Sequence, residues 1–321
     1  MRSVQRGVTV AAALIAGLIP AATSTAAPLG ASSARATGRA ATSCSTVATI
    51  PVGPAGNVSV GIPGVSAVNP RTGKVYVSSI NPSTGAGQVE VINGTTNTVV
   101  ATVPVGDSAT GVAVNPRTNT IYVTFRSNPS TGAGAVAVIN GATNTVVATV
   151  PVSFGPSGVA VNPRTNKIYV ISQTSNAVQV ISGRTSKVVA RVRVGFTPAG
   201  VAVNPRTNKI YVTFDNIAAS LHHNKVLVIS GRANTVVARI PVSIIPGGVA
   251  VNPRINKIYA VGSPLGVRGG FLLVISGRTN HVVATAPAGG LPFDTAVNPR
   301  TRVIYVTNDD GNTVVFTCRR G

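Results

Sequence analysis

The chain has no tryptophan, one methionine, two cysteines and six acidic residues in 321, and aromatics make up only 4% of it. A core without large aromatics has to be built from Val, Ile and Ala packed between sheets, and the apolar content of 44% is ample for that. Five aspartates and one glutamate are a thin supply for the paired carboxylates of glycoside hydrolysis. The serines sit in no Gly-x-Ser-x-Gly nucleophile elbow. Helical periodicity is missing after residue 30; instead, short Val-rich runs are bounded by Gly, Pro and Asn, the pattern of strands. Long hydrophobic runs are missing too. The one apolar segment, Val8 to Ala22, contains Pro20 and falls short of the roughly 20 residues that a spanning helix needs.

That segment reads as an export signal. Arg2 and Arg6 supply the positive end, and Ser24-Thr25-Ala26 offers small residues for cleavage, so 1–26 is assigned as a signal peptide. No cysteine follows it to accept a lipid. Residues 27–43, rich in Ala, Ser, Thr and Gly, read as a flexible linker. The expected location is outside the cell or at its envelope.

From residue 44 onward a repeat governs the chain. Val68-Asn69-Pro70-Arg71 recurs at Val114, Val161, Val203, Val251 and Val297, with the asparagines 42 to 48 residues apart. A fixed period of this length filled with short strands is the signature of a blade-repeat β-propeller. In the repeat beginning at Gly158, strands are expected over 158–161, 167–171, 177–181 and 187–194. The Asn-Pro-Arg turn joins the first two, with the Asn side chain capping its backbone. A tight hairpin joins the last two. In two repeats it begins Asn93-Gly94 or Asn140-Gly141, a pair favoured in two-residue hairpin turns because both positions accept positive φ.

Ile304-Tyr305-Val306-Thr307-Asn308 contains the Tyr-Val-Thr-Asn string of the YVTN-type β-propeller repeat family, which the chain resembles over 44–321. Variants such as Ile121-Tyr122-Val123-Thr124 and Ile210-Tyr211-Val212-Thr213 recur in the other repeats. The resemblance, which extends to YncE-like exported propeller proteins, implies an exported scaffold and brings no shared catalytic motif. Members usually have seven blades; six Asn-Pro-Arg units are present here.

The fold expected is therefore all-β: a single six-bladed propeller of four-stranded blades, with seven blades as the alternative. The sixth repeat has only three strands of its own. Its fourth is expected from the other end of the chain, because Thr46 to Gly53 matches Val99 to Gly106 almost letter for letter. Aligned on the first repeat, Cys318 falls at Asn93 and Cys44 at Asn97, either side of the hairpin, so a disulfide is expected between them in an oxidising compartment.

The formal charge is +21. In a propeller the turns between strands one and two, and between three and four, emerge on one face. That face would carry Arg71, Arg117, Arg164, Arg206, Arg254 and Arg300 from the first set and Arg184, Arg232 and Arg278 from the second. Lys74, Lys167, Lys187, Lys209, Lys257, Arg302, Arg319 and Arg320 accompany them. Asp107, Asp215, Asp294, Asp309 and Asp310 all map to the opposite face, and Glu90 lies within a strand. A field of one sign concentrates and steers polyanions, so the partner expected is an anionic cell-wall polymer or another polyanion. The long connections Ser78–Gln88, Thr124–Ala135, Thr213–Lys225 and Val261–Gly270 on the opposite face are expected to present a site for a protein or small ligand.

His222-His223 with Asp215 is the nearest approach to a metal or acid–base cluster, but zinc wants three or four convergent ligands. Asp309-Asp310-Gly311-Asn312 lacks the alternating acids of a calcium loop. No metal and no cofactor are expected. The six tyrosines at one equivalent strand position read as packing between blades. The leading reading is a secreted, monomeric, non-enzymatic binding scaffold at the envelope. The alternatives are a propeller lyase or hydrolase working on the Asp-bearing face, and a nonspecific DNA-binding propeller. Sequence-specific reading of nucleic acid is disfavoured by the lack of a recognition helix and of basic–aromatic interleaving.

Overall fold

In a computed structural model the chain is described over residues 62–81, 84, 86–126, 133–172, 174–195, 197–214, 224–267, 269–309 and 313–317. All of these belong to one compact unit that takes in Val52–Gly321. The signal and linker assignments, the expected closing strand at Thr46 to Gly53, both cysteines, and Asp215, His222, His223, Asp310, Arg319 and Arg320 lie outside the described residues.

The described residues form twenty-two strands and no helix. The first repeat is β1 (Ile62–Val68), β2 (Lys74–Ile80), β3 (Ala86–Asn93) and the front half of β4 (Thr98–Asn115). The second takes the rear half of β4 with β5 (Thr120–Arg126), β6 (Gly134–Asn140) and β7 (Thr145–Val152). The third is β8 (Pro156–Asn162), β9 (Lys167–Ser172), β10 (Ala177–Ser182) and β11 (Lys187–Arg193); the fourth is β12 (Pro198–Asn204), β13 (Lys209–Phe214), β14 (Lys225–Ser230) and β15 (Thr235–Pro241). The fifth is β16 (Ile245–Asn252), β17 (Lys257–Ser263), β18 (Gly270–Ser276) and β19 (His281–Gly289), and the sixth is β20 (Pro292–Val297), β21 (Val303–Asn308) and β22 (Thr313–Thr317).

Every pairing is antiparallel and every repeat is a meander, so sequence neighbours are sheet neighbours. The strands make five sheets, because β4 runs unbroken through two repeats and fuses them into one seven-stranded sheet. The first strands pack in succession, β4 on β8, β8 on β12, β12 on β16 and β16 on β20. Among the described residues the run is not closed: no packing of comparable extent joins β20 to β1.

The core lies between repeats, since each sheet is too thin to bury its apolar faces alone. Five of the six strand-two tyrosines reach out of their own repeat into the cluster of the next. Tyr76 packs with Val123 and Ile139, Tyr122 with Ile168 and Val170, and Tyr169 with Ile210 and Val212. Tyr211 packs with Ile258 and Ile275, and Tyr259 with Ile304 and Val306. The packing role expected of these tyrosines holds. Burial pushes the phenols of Tyr122, Tyr169 and Tyr211 up to about 12. Tyr305, with no seventh cluster among the described residues to enter, is only half-buried.

Two local expectations need correcting. The strand three-to-four hairpins are not two-residue turns. Asn97 N–H reaches back to Asn93 C=O at 2.8 Å, Asn144 to Asn140 at 2.7 Å, and the left-handed residue is the last of the turn, Asn97 or Asn144. Gly94 and Gly141 are required for a different reason: a Cβ at either would collide with Gly73 or Asn119 in the adjoining turn. The connections on the other edge are also shorter than expected. Pairing continues through Ser79 with Gln88 and Ile80 with Gly87, and through Arg126 with Gly134, because the ladder keeps satisfying backbone groups beyond the Val-rich run.

Candidate functional site

The Asn-Pro-Arg turns are built identically. The Asn side-chain oxygen accepts the N–H of the arginine two residues on, at 3.0 Å for Arg71, Arg117, Arg164, Arg206 and Arg254 and 2.9 Å for Arg300. This Asx cap, expected from the sequence, fixes each arginine at the tip of its turn. The second set of turns is tied to the first within each repeat: Gly94 N–H bonds Gly73 C=O, Gly141 bonds Asn119, Gly183 bonds Asn166, Gly231 bonds Asn208 and Gly277 bonds Asn256. The two turn sets therefore share one edge of the sheets, as the sequence implied.

The structure places all nine candidate arginines on that edge, and all nine are exposed: Arg71, Arg117, Arg164, Arg206, Arg254, Arg300, Arg184, Arg232 and Arg278. None is engaged in an ion pair among the described residues. The described aspartates lie at the other edge, where Asp107 pairs with Ala86 and Arg126, Asp294 opens β20, and Asp309 follows β21.

Three lysines of the basic edge have a second task that the sequence did not reveal. Lys74 Nζ donates to Gly141 C=O at 3.0 Å, Lys167 to Gly231 at 2.8 Å and Lys209 to Gly277 at 3.4 Å, each reaching into the following repeat. Their charge adds to the field, but their donors are partly spent on holding repeats together.

The turn asparagines are shared in the same way. Asn69 Nδ2 donates to Asn119 Oδ1, Asn115 to Asn166, Asn162 to Asn208 and Asn204 to Asn256, at 2.7–2.8 Å. Each link joins one repeat to the next. It stops at Asn252, whose buried Nδ2 has no partner, because Arg302 stands where the second to fifth repeats place asparagine.

Glu90 is buried within β3 and is held by neutral donors, Gln88 Nε2 and Thr102 Oγ1, both at 2.6 Å. Asp294 stands where sister repeats carry Gly111, Gly158, Gly200 and Gly248. A Cβ on Gly248 would lie 2.6 Å from Asp294 Cα, 2.7 Å from its Oδ1 and 2.9 Å from the Phe293 carbonyl oxygen, so the backbone approach there requires glycine. Burial pushes the Asp294 carboxyl up to about 7, against a smaller lowering by the Thr295 N–H. Among the described residues no three His, Cys, Asp or Glu side chains gather as metal ligands. No helix among them is long and apolar enough to cross a membrane.

One cluster escaped the sequence reading. Arg191 and Arg193 occupy consecutive outward positions on β11 and line a cavity with Ser175, Asn176 and Gly195. The signal was available: in the other complete repeats the position of Arg193 is proline, at Pro104, Pro151, Pro241 and Pro287.

No family model and no curated protein matches the chain. Among solved structures, a chain of Kuenenia stuttgartiensis hydrazine synthase is similar, with a TM-score of 0.51 and 16% identity over 78% of this chain and 94% of that one. The likeness is one of fold. It aligns this succession of antiparallel sheets with a propeller-like chain.

Proposed function

We propose that the protein is an exported, non-enzymatic β-propeller of the YVTN-repeat type, six-bladed, that docks on an anionic polymer at the cell envelope through its arginine-bearing edge. Six blades are favoured over seven because the strands from residue 62 onward belong to six repeats, the sixth with three strands, and residues 54–64 are too few to supply four more. The strand at Thr46 to Gly53 would complete the sixth blade beside β22, and Cys44 with Cys318 would fasten it.

The observation that carries the functional reading is the row of nine exposed arginines, fixed by Asx caps and shared turn hydrogen bonds and free of acidic neighbours on their edge. Planar guanidinium groups held at repeat spacing suit a ligand that repeats too: phosphate or carboxylate groups along a polymer. The opposite edge, with its connecting loops, is left to present a protein or a small ligand.

The test is binding of the mature protein to anionic wall polymer and to duplex DNA across a salt titration, beside a variant carrying Arg71→Ala, Arg164→Ala and Arg254→Ala. Affinity for DNA is expected to fall steeply with salt, with a log–log slope of about −0.9 per phosphate neutralised, and the variant to flatten it. A preference for wall polymer at equal salt is the result expected. Stronger binding to DNA would reassign the edge to nucleic acid, and no binding at low salt would end the proposal.

A further inference from the structure

β11 is the outer strand of its four-stranded sheet, and among the complete repeats it alone carries arginine at both of its last two outward positions. The other complete repeats carry Thr102 and Pro104, Thr149 and Pro151, Arg239 and Pro241, and Thr285 and Pro287 at the positions of Arg191 and Arg193. A proline there blunts an exposed sheet edge, since it offers no N–H to a passing strand. The third repeat gives up that protection and places two guanidinium groups side by side. Both arginines are exposed, with Val192 between them buried, so they share one face of the strand.

They also share a cavity of about 390 Å³, completed by Ser175, Asn176 and Gly195. Its wall is braced from within. Arg191 Nη2 donates to Ser175 C=O at 3.0 Å, Val194 N–H to Asn176 C=O at 2.9 Å, and Thr197 N–H to Asn176 Oδ1 at 3.4 Å. Asn176 and Gly195 take left-handed backbone conformations, with φ of 50° and 102°, which turn the two loops about the cavity mouth. Register places the cavity at the edge opposite the Asn-Pro-Arg turns, because Ala177 pairs with Arg193 while Ser182 pairs with Lys187. No acidic residue is among the described residues that line it.

We infer that the Arg191–Arg193 cavity is a second anion site, distinct from the basic edge, that takes a single tetrahedral oxyanion: a phosphate, free or carried as an ester on a small polar molecule. Each guanidinium has five donors in a fixed fork. Arg191 spends one on Ser175 and has the rest to offer, so two forks converge on one doubly charged group. With the Ser175 O–H turned to Ser172 C=O and Asn176 Oδ1 accepting from Thr197, the Ser175 hydroxyl oxygen and the Asn176 Nδ2 are left to make neutral contacts with whatever carries the phosphate. The volume of the cavity matches a monosaccharide-sized carrier.

The experiment is calorimetric titration of the mature protein with inorganic phosphate and with a sugar phosphate monoester. The companion variant carries Arg191→Thr and Arg193→Pro, the residues that the first, second and fifth repeats already place on the same backbone, and an unchanged melting temperature confirms that it folds. One saturable site is expected, weakened about tenfold or more in that variant and unchanged in the Arg71, Arg164 and Arg254 alanine variant. Tighter binding of the ester than of inorganic phosphate identifies a carrier that the cavity also holds, and equal binding identifies the free anion. The inference is overturned if no saturable site exists, or if the Thr/Pro variant binds as well as the parent. Loss in the triple alanine variant alone would return the binding to the basic edge.

Discussion

At the scale of single residues, the informative ones are those that depart from their repeat. Asp294 is such a residue: where four sister strands use glycine, it sets a carboxyl against the backbone of Gly248 in the preceding repeat. The sequence placed this aspartate on the correct edge. Its surroundings were not readable, because they are made by a segment some forty-six residues away that only packing brings near. With the folded carboxyl pushed from 3.8 up to about 7, the native state holds the proton more tightly than the unfolded chain does. The stability this gives is complete below pH 4, declines as pH rises from 4 to 7, and changes no further above that. Asp294→Asn is expected to remove that part of the decline. Urea denaturation of parent and variant at half-unit steps from pH 4 to 8 reads it as a difference that grows with pH and levels off near 7. A constant difference across the range would show that the carboxyl is not desolvated.

At the scale of elements, strand positions were the most legible feature. The expected 158–161, 167–171, 177–181 and 187–194 became β8 to β11 with shifts of one or two residues, because alternating Val and polar residues fix which face of a strand is buried. Turn chemistry was read half correctly. The Asx caps follow from local sequence; the purpose of Gly94 and Gly141 does not, since it depends on a neighbouring turn. The bonds that carry Asn69, Asn115, Asn162 and Asn204 into the next repeat were also invisible, as a residue's reach across sheets leaves no local mark. They imply a stabilising substitution. Arg302 sits at φ 63°, a conformation asparagine tolerates better, and it leaves Asn252 Nδ2 buried without a partner. Arg302→Asn is expected to raise stability by about 1 kcal/mol, and Arg302→Gly, which eases the backbone without supplying an acceptor, to gain less. Asn162→Ala, which removes a cap and an inter-repeat bond together, is expected to cost about 1–3 kcal/mol. Thermal melts of the three variants rank them, and an equal gain from Gly and Asn would mean that the Asn252 bond does not form.

At the scale of the whole molecule, the unfilled positions gather on the sixth repeat. Asn298 is exposed where its five counterparts are fully buried, Tyr305 is half-buried where the other five tyrosines are sealed, and β22 is the last strand of a three-stranded sheet. Among the described residues no fourth strand lies on β22 and no further repeat covers Tyr305. The fourth strand is supplied, in the proposed closure, by Thr46 to Gly53, whose sequence repeats that of the strand following Asn97. This is the one place where the sequence carries the argument further than the described residues do. The proposed closure requires both ends of the chain to meet, so the protein collected from an oxidising compartment is expected to contain no free thiol and to yield a Cys44–Cys318 peptide on non-reducing digestion. Bridging a loop of some 270 residues restricts the unfolded chain by up to about 5 kcal/mol on the chain-entropy model, so Cys44→Ser should lower the melting temperature markedly. The same variant should leave binding at the Asn-Pro-Arg edge intact at low temperature, because those turns are held by Asx caps and by their own hairpins. Two titratable thiols in that protein would instead detach the N-terminal strand from the sixth repeat, and the exposed face around Asn298 and Tyr305 would then need another cover.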